Sequence, residues 1–293
     1  MAHSASAWTH YWQTGQAHSC INSSSRDGEE LAALWQDLAN LLPAGARVLD
    51  LATGNGAVAE HFASTNPNLN ITGVDQADIT PVTTQVSYQG RIDITELPFA
   101  DGSFDMVTSQ FGFEYAPRLN AAEEAARVLA DGGQLCFLMH HPCSAVVKAN
   151  SLKIPEIDSL LASDGLISQC REFLSNQLPF ATLENAGRSY LDSDQHRSKQ
   201  ISGQVFDAVG VLFDLKQRDP ALARRQLEAM ATRMLDERAR LQQMRDAAVS
   251  TADIQHLVVV FTAAGITVEP PVRLHIGGTE QPALVGWLLK GRR

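Results

Sequence analysis

Three aspartates, Asp50, Asp75 and Asp93, recur after successive short apolar runs, and the stretch Asp50-Leu51-Ala52-Thr53-Gly54-Asn55-Gly56 begins at the first of them. A carboxylate at a strand end accepts hydrogen bonds from hydroxyl and amine donors. Gly54 and Gly56 let the backbone turn sharply and meet a ligand with no Cβ in the way. An apolar run, a glycine turn and a helix start rich in small residues (Ala57-Val58-Ala59) make the layout of a strand–loop–helix nucleotide cradle. Each acid taken singly is also what a helix cap or a surface turn would use. Three acids after three successive strands point instead to one edge of a sheet.

The elements that must position these residues follow from hydrophobic periodicity. Leu31, Leu34, Trp35, Leu38 and Leu42 keep a helical period over 29–42. Strands are expected at 47–51, 71–75, 86–91, 104–109 and 134–139, with helices at 57–64 and 120–129 between them. The segment 76–85 leaves room for one short helix, capped at Thr80-Pro81. Strands alternating with helices argue a doubly wound, mostly parallel α/β sheet. A helix over 251–264 and strands over 266–276 and 282–290 complete seven strands, the first of that last pair bent by Pro270-Pro271. With no helix between them, those two strands must form an antiparallel terminal hairpin. Residues 142–250 break the rhythm with helices expected at 157–161, 203–216 and 221–249, and read as a helical insertion. The expected organisation is an N-terminal lid or connector over 1–28, a core of 29–141 with 251–293, and the insertion as an acceptor-binding cap.

The chain has 293 residues, 44% hydrophobic, and a net charge of −10 with no lysine or arginine run, which argues against a nucleic-acid partner. No apolar run nears the ~20 residues of a membrane span. Residues 1–15 lack the basic-then-apolar pattern of a secretory leader, so a cytoplasmic location is expected. Cys20, Cys136, Cys143 and Cys170 are widely spaced and read as reduced thiols.

The glycine loop, Asp75, Asp93 ahead of Leu97-Pro98-Phe99, Asp101-Gly102-Ser103-Phe104-Asp105, and Arg127-Val128-Leu129 with Gly132-Gly133 together resemble the class I S-adenosylmethionine-dependent methyltransferases of the small-molecule type. The resemblance spans about 29–141 and, weakly, 251–291. Ala52 departs from the family pattern by standing where the first of three glycines is usual. The resemblance implies S-adenosylmethionine as cofactor and methyl transfer to a small-molecule acceptor by in-line displacement. It implies that the backbone of Ala52, Thr53, Gly54 and Gly56 faces the methionine moiety, and that Asp50 holds the loop or binds the amino group through water. Asp75, with Gln76 beside it, would accept the ribose hydroxyls. Asp93 would accept from the adenine amino group, with the Ile94 amide nearby; Ser109, at the end of the fourth strand, is a further cofactor-side candidate.

A rival reading is an NAD(P)-dependent Rossmann oxidoreductase. Gly54-x-Gly56-x-x-Ala59 fits that fingerprint, and Asp75 follows about 20 residues on, as a ribose acid should. Asp50 before the loop, the 93–99 block and the terminal strand pair stand against it. A non-catalytic protein of the same fold is the third class.

On the acceptor side, Phe111, Phe113 and Tyr115 follow the fourth strand, and Tyr11 and Trp12 belong to the expected lid. These are the candidate pocket walls, together with His140; core packing is the alternative for each. His141 is the candidate general base, since its ordinary pKa suits the task. No metal site is expected from two adjacent histidines without a carboxylate partner. The Met230, Met234 and Met244 helix suits a pocket wall or a homodimer contact through the insertion.

Overall fold

The computed structural model describes residues 8–9, 11–12, 26–79, 84–192, 200–277 and 282–293. Their contacts divide the chain into two units, Met1–Val147 with Asp246–Arg293, and Lys148–Arg245. The described helices are α1 (Arg26–Leu41), α2 (Ala57–Thr65), α3 (Arg118–Val128), α4 (Ala145–Ser151), α5 (Lys153–Leu161), α6 (Leu166–Leu174), α7 (Phe180–Asp192), α8 (Gln200–Arg218), α9 (Pro220–Ala247) and α10 (Thr251–Ala263). The strands are β1 (Arg47–Leu51), β2 (Asn70–Val74), β3 (Val86–Gln89), β4 (Phe104–Gln110), β5 (Leu129–His140), β6 (Thr267–Val268), β7 (Val272–Ile276) and β8 (Ala283–Arg292).

In the first unit the strands form one sheet in the order β3-β2-β1-β4-β5-β8-β6, with β7 also paired to β8. Strands β1 to β5 run parallel, while β8 is antiparallel to β5, β6 and β7. The order reverses between β1 and β4, the switch point where an open α/β sheet keeps its ligand. Strand alternation divides the side chains. Val48, Ile71, Met106 and Leu138 pack with Trp35 of α1 and Phe62 of α2. Leu49, Leu51, Val107 and Phe137 pack with α3 and Phe261 of α10. A two-faced apolar sheet therefore carries a helix pair on each side, as parallel strands require.

Arg127 holds the chain between β3 and β4. Its guanidinium donates to the Leu97 and Phe99 carbonyls at 3.0 and 2.7 Å and to Glu124 and Asp101. Leu97 is buried in the core beneath that clamp, with Phe99 packed against it and Pro98 exposed. At the start of α10, Ser250 and Asp253 form a reciprocal capping box.

The second unit is helical. Ile157, Leu160, Leu166, Ile167, Cys170 and Leu183 are fully buried in its core. Glu156 Oε1 accepts the Ser202 amide and hydroxyl, both at 2.7 Å, near the start of α8. Asp219 Oδ1 accepts the Leu222 amide at 2.9 Å and caps α9, with Pro220 at its first position.

Several boundaries differ from the sequence expectations. The third strand stops at Gln89 because Arg91 turns at φ 63°. The fifth begins at Leu129, which pairs Phe104; the chain then turns at Gly132 (φ 76°) before Gln134 pairs Met106. Pro270-Pro271 splits the expected strand into β6 and β7, which gives eight strands for seven; the hairpin itself is present as β7 against β8. Helices α4, α6 and α7 were not anticipated. The expected cap at Thr80-Pro81 lies outside the described residues, as do Cys20 and most of 1–28. Cys136, Cys143 and Cys170 are free thiols. Among the described residues no helix is long and apolar enough to cross a membrane.

Phe137 is fully buried and stacks on Phe113 with centroids 4.6 Å apart. Phe137→Ala is expected to destabilise the α/β unit by about 3–5 kcal/mol through lost burial and a cavity. Urea unfolding followed by circular dichroism measures the change.

Candidate cofactor site

The loop after β1 is built from left-handed backbone at Ala52 (φ 51°), Gly54 (φ 56°) and Gly56 (φ 90°). Two buried carboxylates hold it. Asp50 accepts from the Thr53 hydroxyl at 2.6 Å and from the Thr108 hydroxyl at 3.0 Å. Thr108 lies beside Asp50 in the β1–β4 register. Asp75, at the end of β2, accepts the Gly54 amide on one oxygen and the Ala77 amide on the other, each at 2.8 Å. The Thr53 amide donates to the Val74 carbonyl at 2.9 Å. The loop is thereby pinned to both neighbours of β1.

Burial governs the electrostatics. It pushes the Asp50 carboxyl up to about 7, against the hydroxyls of Thr53 and Thr108 that favour its charge, and the Asp75 charge adds to the rise. Burial raises Asp75 as well, opposed by the Ala77 and Gly54 amides. A carboxylate offers about four lone-pair positions. Asp75 spends two on amides and keeps two for a ligand. The glycines let side chains pack directly on the loop backbone: a Cβ at Gly54 would strike the Trp12 indole, and one at Gly56 would strike the Tyr88 hydroxyl. A glycine face beside a strand-end carboxylate fits a nucleoside cofactor with an amino-acid arm.

The expected site residues separate into three groups. Asp50, Ala52, Thr53, Gly54, Gly56 and Asp75 are brought together at the carboxyl ends of β1 and β2, with Gln76 exposed beside them. Asp93 is exposed on the next turn and accepts the Thr95 amide and hydroxyl at 2.9 and 2.7 Å; the Ile94 side chain is in the core. Ser109 does not face the site. Its hydroxyl donates to the Leu51 carbonyl at 2.8 Å and accepts the Phe113 amide at 3.0 Å, so it is spent on the fold.

On the acceptor side, Phe113 is core, stacked on Phe137, and is no pocket wall. Phe111 stacks on the His140 ring (4.5 Å, 11°), and Tyr115 meets that ring edge-on at 6.2 Å. His141 lies on the opposite parity of the strand. Its Nδ1 accepts the Cys143 amide at 2.9 Å and its ring packs on Trp287 at 5.1 Å, an arrangement that serves the turn after β5 rather than a proton-abstracting role. Trp12 lies on the glycine loop, cofactor side, where its carbonyl accepts from Asn55 Nδ2 at 3.0 Å; Tyr11 packs edge-on against it. No group of potential metal ligands occurs among the described residues.

Sequence reasoning missed Thr108, Tyr88 and Glu114. The first was legible as a polar residue opposite Asp50 across β1 and β4. Glu114 is an acid inside the aromatic run Phe111–Tyr115, 2% exposed. Its Oε1 accepts the His140 amide at 2.7 Å, and Oε2 has no hydrogen-bond partner among the described residues.

This sheet order, glycine loop and pair of strand-end acids define a class I cofactor-binding domain of the methyltransferase kind. Residues 49–137 match the family model described as a methyltransferase domain. The ubiquinone/menaquinone biosynthesis C-methyltransferase UbiE of Geotalea daltonii is 38% identical over 104 residues, 31% of this chain and 44% of that protein. The 27-O-demethylrifamycin SV methyltransferase of Amycolatopsis mediterranei is 32% identical over 164 residues, 50% and 59% of the two chains. Among solved structures, the Burkholderia thailandensis 1,6-didemethyltoxoflavin-N1-methyltransferase aligns with 48% of this chain and 62% of that one, at 15% identity and a TM-score of 0.39. The chain spans about half the length of the relatives it matches. Residues 49–137 are thus similar to a methyltransferase domain.

Burial pushes the Glu114 carboxyl up to about 7, opposed first by the His140 amide and, more weakly, by the Arg118 charge. Its unfolded value is ~4.3. Stability from the bound proton is therefore full below about pH 4 and is lost as pH rises to about 7. Glu114→Gln keeps the acceptor for the His140 amide and has no charge to bury. It is expected to be more stable than the parent at pH 8 by roughly 3 kcal/mol or less, with the gap shrinking by pH 5. Urea midpoints across that range measure it; a pH-independent gap is the contrary result.

Proposed function

We propose that the chain binds S-adenosylmethionine in the cradle between β1 and β2 and transfers its methyl group to a small-molecule acceptor. The observation that carries this reading is the Gly54 amide held on the Asp75 carboxylate at 2.8 Å, in the loop that leaves β1 beside the switch point of the sheet. When bound, S-adenosylmethionine supplies a sulfonium-activated methyl group. The chain's own residues bind and orient. The Gly54–Gly56 backbone faces the methionine arm. Asp75 accepts the ribose hydroxyls on its remaining lone pairs, and Asp93 accepts the adenine amino group. Phe111, Tyr115 and His140 stand at the ends of β4 and β5, on the acceptor side. Transfer to an acceptor that is already nucleophilic needs placement and exclusion of water more than acid–base help.

The relatives' names, a quinone-biosynthesis C-methyltransferase and a rifamycin methyltransferase, support a small organic acceptor. The helical unit departs from the carboxyl end of β5 and rejoins the core ahead of α10, and that connectivity supports a role in choosing the acceptor. The oxidoreductase reading gains nothing from the site, since Asp50 serves the loop.

Calorimetry tests the reading. S-adenosylmethionine and S-adenosylhomocysteine are expected to bind in the micromolar range, about −8 kcal/mol. Binding of NAD in their place would overturn it. Asp75→Ala is expected to weaken both ligands by about tenfold or more, since a charged acceptor contributes about 1.5–3 kcal/mol. Unchanged affinity in a folded variant would confine Asp75 to its structural bonds.

A further inference from the structure

A row of aromatic rings crosses the carboxyl ends of the strands, and the cradle alone has no use for it. The Trp12 indole rests against Gly54. Trp8 stacks on Trp12 with centroids 6.1 Å apart and planes at 27°, and its other side meets Tyr115 edge-on at 5.3 Å. Tyr115 in turn meets His140, which stacks on Phe111. Two hydrogen bonds tie the segment to the sheet edge. Asn55 Nδ2 donates to the Trp12 carbonyl at 3.0 Å, and the Asp78 amide donates to Thr9 Oγ1 at 3.1 Å. The anchors fall after β1, β2 and β4.

Among the described residues, the buried titratable side chains of the α/β unit are Asp50, Asp75, Glu114, His140 and His141, with no buried lysine or arginine. Aromatic faces are the negative ends of ring quadrupoles and attract cations. Aromatic rings beside Asp75 therefore favour a positively charged ligand over a neutral one of the same shape. The two forms of the cofactor differ in this respect: the methyl donor is a sulfonium cation, and the product left after transfer is a neutral thioether. The row runs from the glycine loop, which faces the methionine arm, to Tyr115 on the acceptor side, and the methyl-bearing centre must lie between those two.

We propose that Trp8, Trp12 and Tyr115 read the positive charge of the cofactor, holding the sulfonium form more tightly than a non-aromatic covering would and adding little to the hold on the thioether. This inference rests on the function proposed above and adds which residues discriminate substrate from product. The same discrimination helps the spent cofactor leave, since the charge that the rings attract is gone once the methyl has moved.

Binding without turnover tests it. Affinities of the full chain for S-adenosylmethionine and for S-adenosylhomocysteine are measured by calorimetry for the parent, Trp8→Leu, Tyr115→Leu and Tyr115→Phe. Each leucine variant is expected to lose about 3- to 30-fold in affinity for the sulfonium, the range of a cation–ring interaction, and under about 2-fold for the thioether. Tyr115→Phe keeps a ring and is expected to keep the parent ratio. Trp8 lies outside the sheet core, so its variant remains informative if Tyr115→Leu fails to fold. Equal losses for both ligands, or no loss for either, would show a covering that is blind to charge and would overturn the proposal while leaving the cofactor assignment intact. Absence of binding of either ligand by the parent would overturn the assignment itself.

Discussion

The backbone of the loop after β1 depends on hydrogen bonds to two buried carboxylates. Ala52, Gly54 and Gly56 all sit at positive φ. For Ala52 that conformation costs about 1–2 kcal/mol, because its Cβ crowds the following carbonyl. Asp50 and Asp75 offset the cost by accepting from Thr53 and from the Gly54 amide. The same alanine explains a second glycine. A Cβ at Gly112 would collide with the Ala52 Cβ, so the side chain gained at the loop is accommodated by one forgone after β4. The departure from three glycines is thus compensated across the sheet, and loop and acceptor side are packed as one piece.

Burying the acids is itself unfavourable, as the upward shifts of Asp50 and Glu114 show. A fold tolerates such groups where they satisfy donors that would otherwise be orphaned. Asp50 is matched to two hydroxyls, one on its own loop and one on β4. Glu114 is matched on one oxygen only, to the amide of His140, which fixes the end of β5 against the turn after β4. The sheet edge is held by acids that face inward.

Much of this was legible in the sequence, for reasons of period. Strands buried on both faces read as continuous apolar runs, and the Asp50–Gly56 loop and Asp75 follow them at fixed offsets. What the sequence concealed depends on side-chain direction at strand ends. Ser109 and His141 sit at positions where one step along the strand exchanges the site for the core. Phe113 lies in a 3-10 turn (Phe113–Tyr115), where neither helical nor strand alternation predicts its face. Tyr11 and Trp12 were recognisable as aromatic cover, but the contacts of Trp12 with Gly54 and Asn55, far along the chain, were not legible. In the helical unit, α6 and α7 fall in the stretch between the helices expected at 157–161 and 203–216, where no helix was expected.

The proposed double duty of Asp75, on loop amides and on a ligand, bears on how the site binds. An acceptor already fixed by two amides has lost its rotational freedom and its water during folding, so neither is charged against ligand binding. Its remaining lone pairs point from a rigid frame at the end of β2. The aromatic row shares that economy: Trp12 is anchored through Asn55, the residue between the two loop glycines, so the ring and the glycine face it covers are held by one turn of backbone. Loop, acid and ring are therefore coupled, and a change at any one of them reaches the others through a single hydrogen bond.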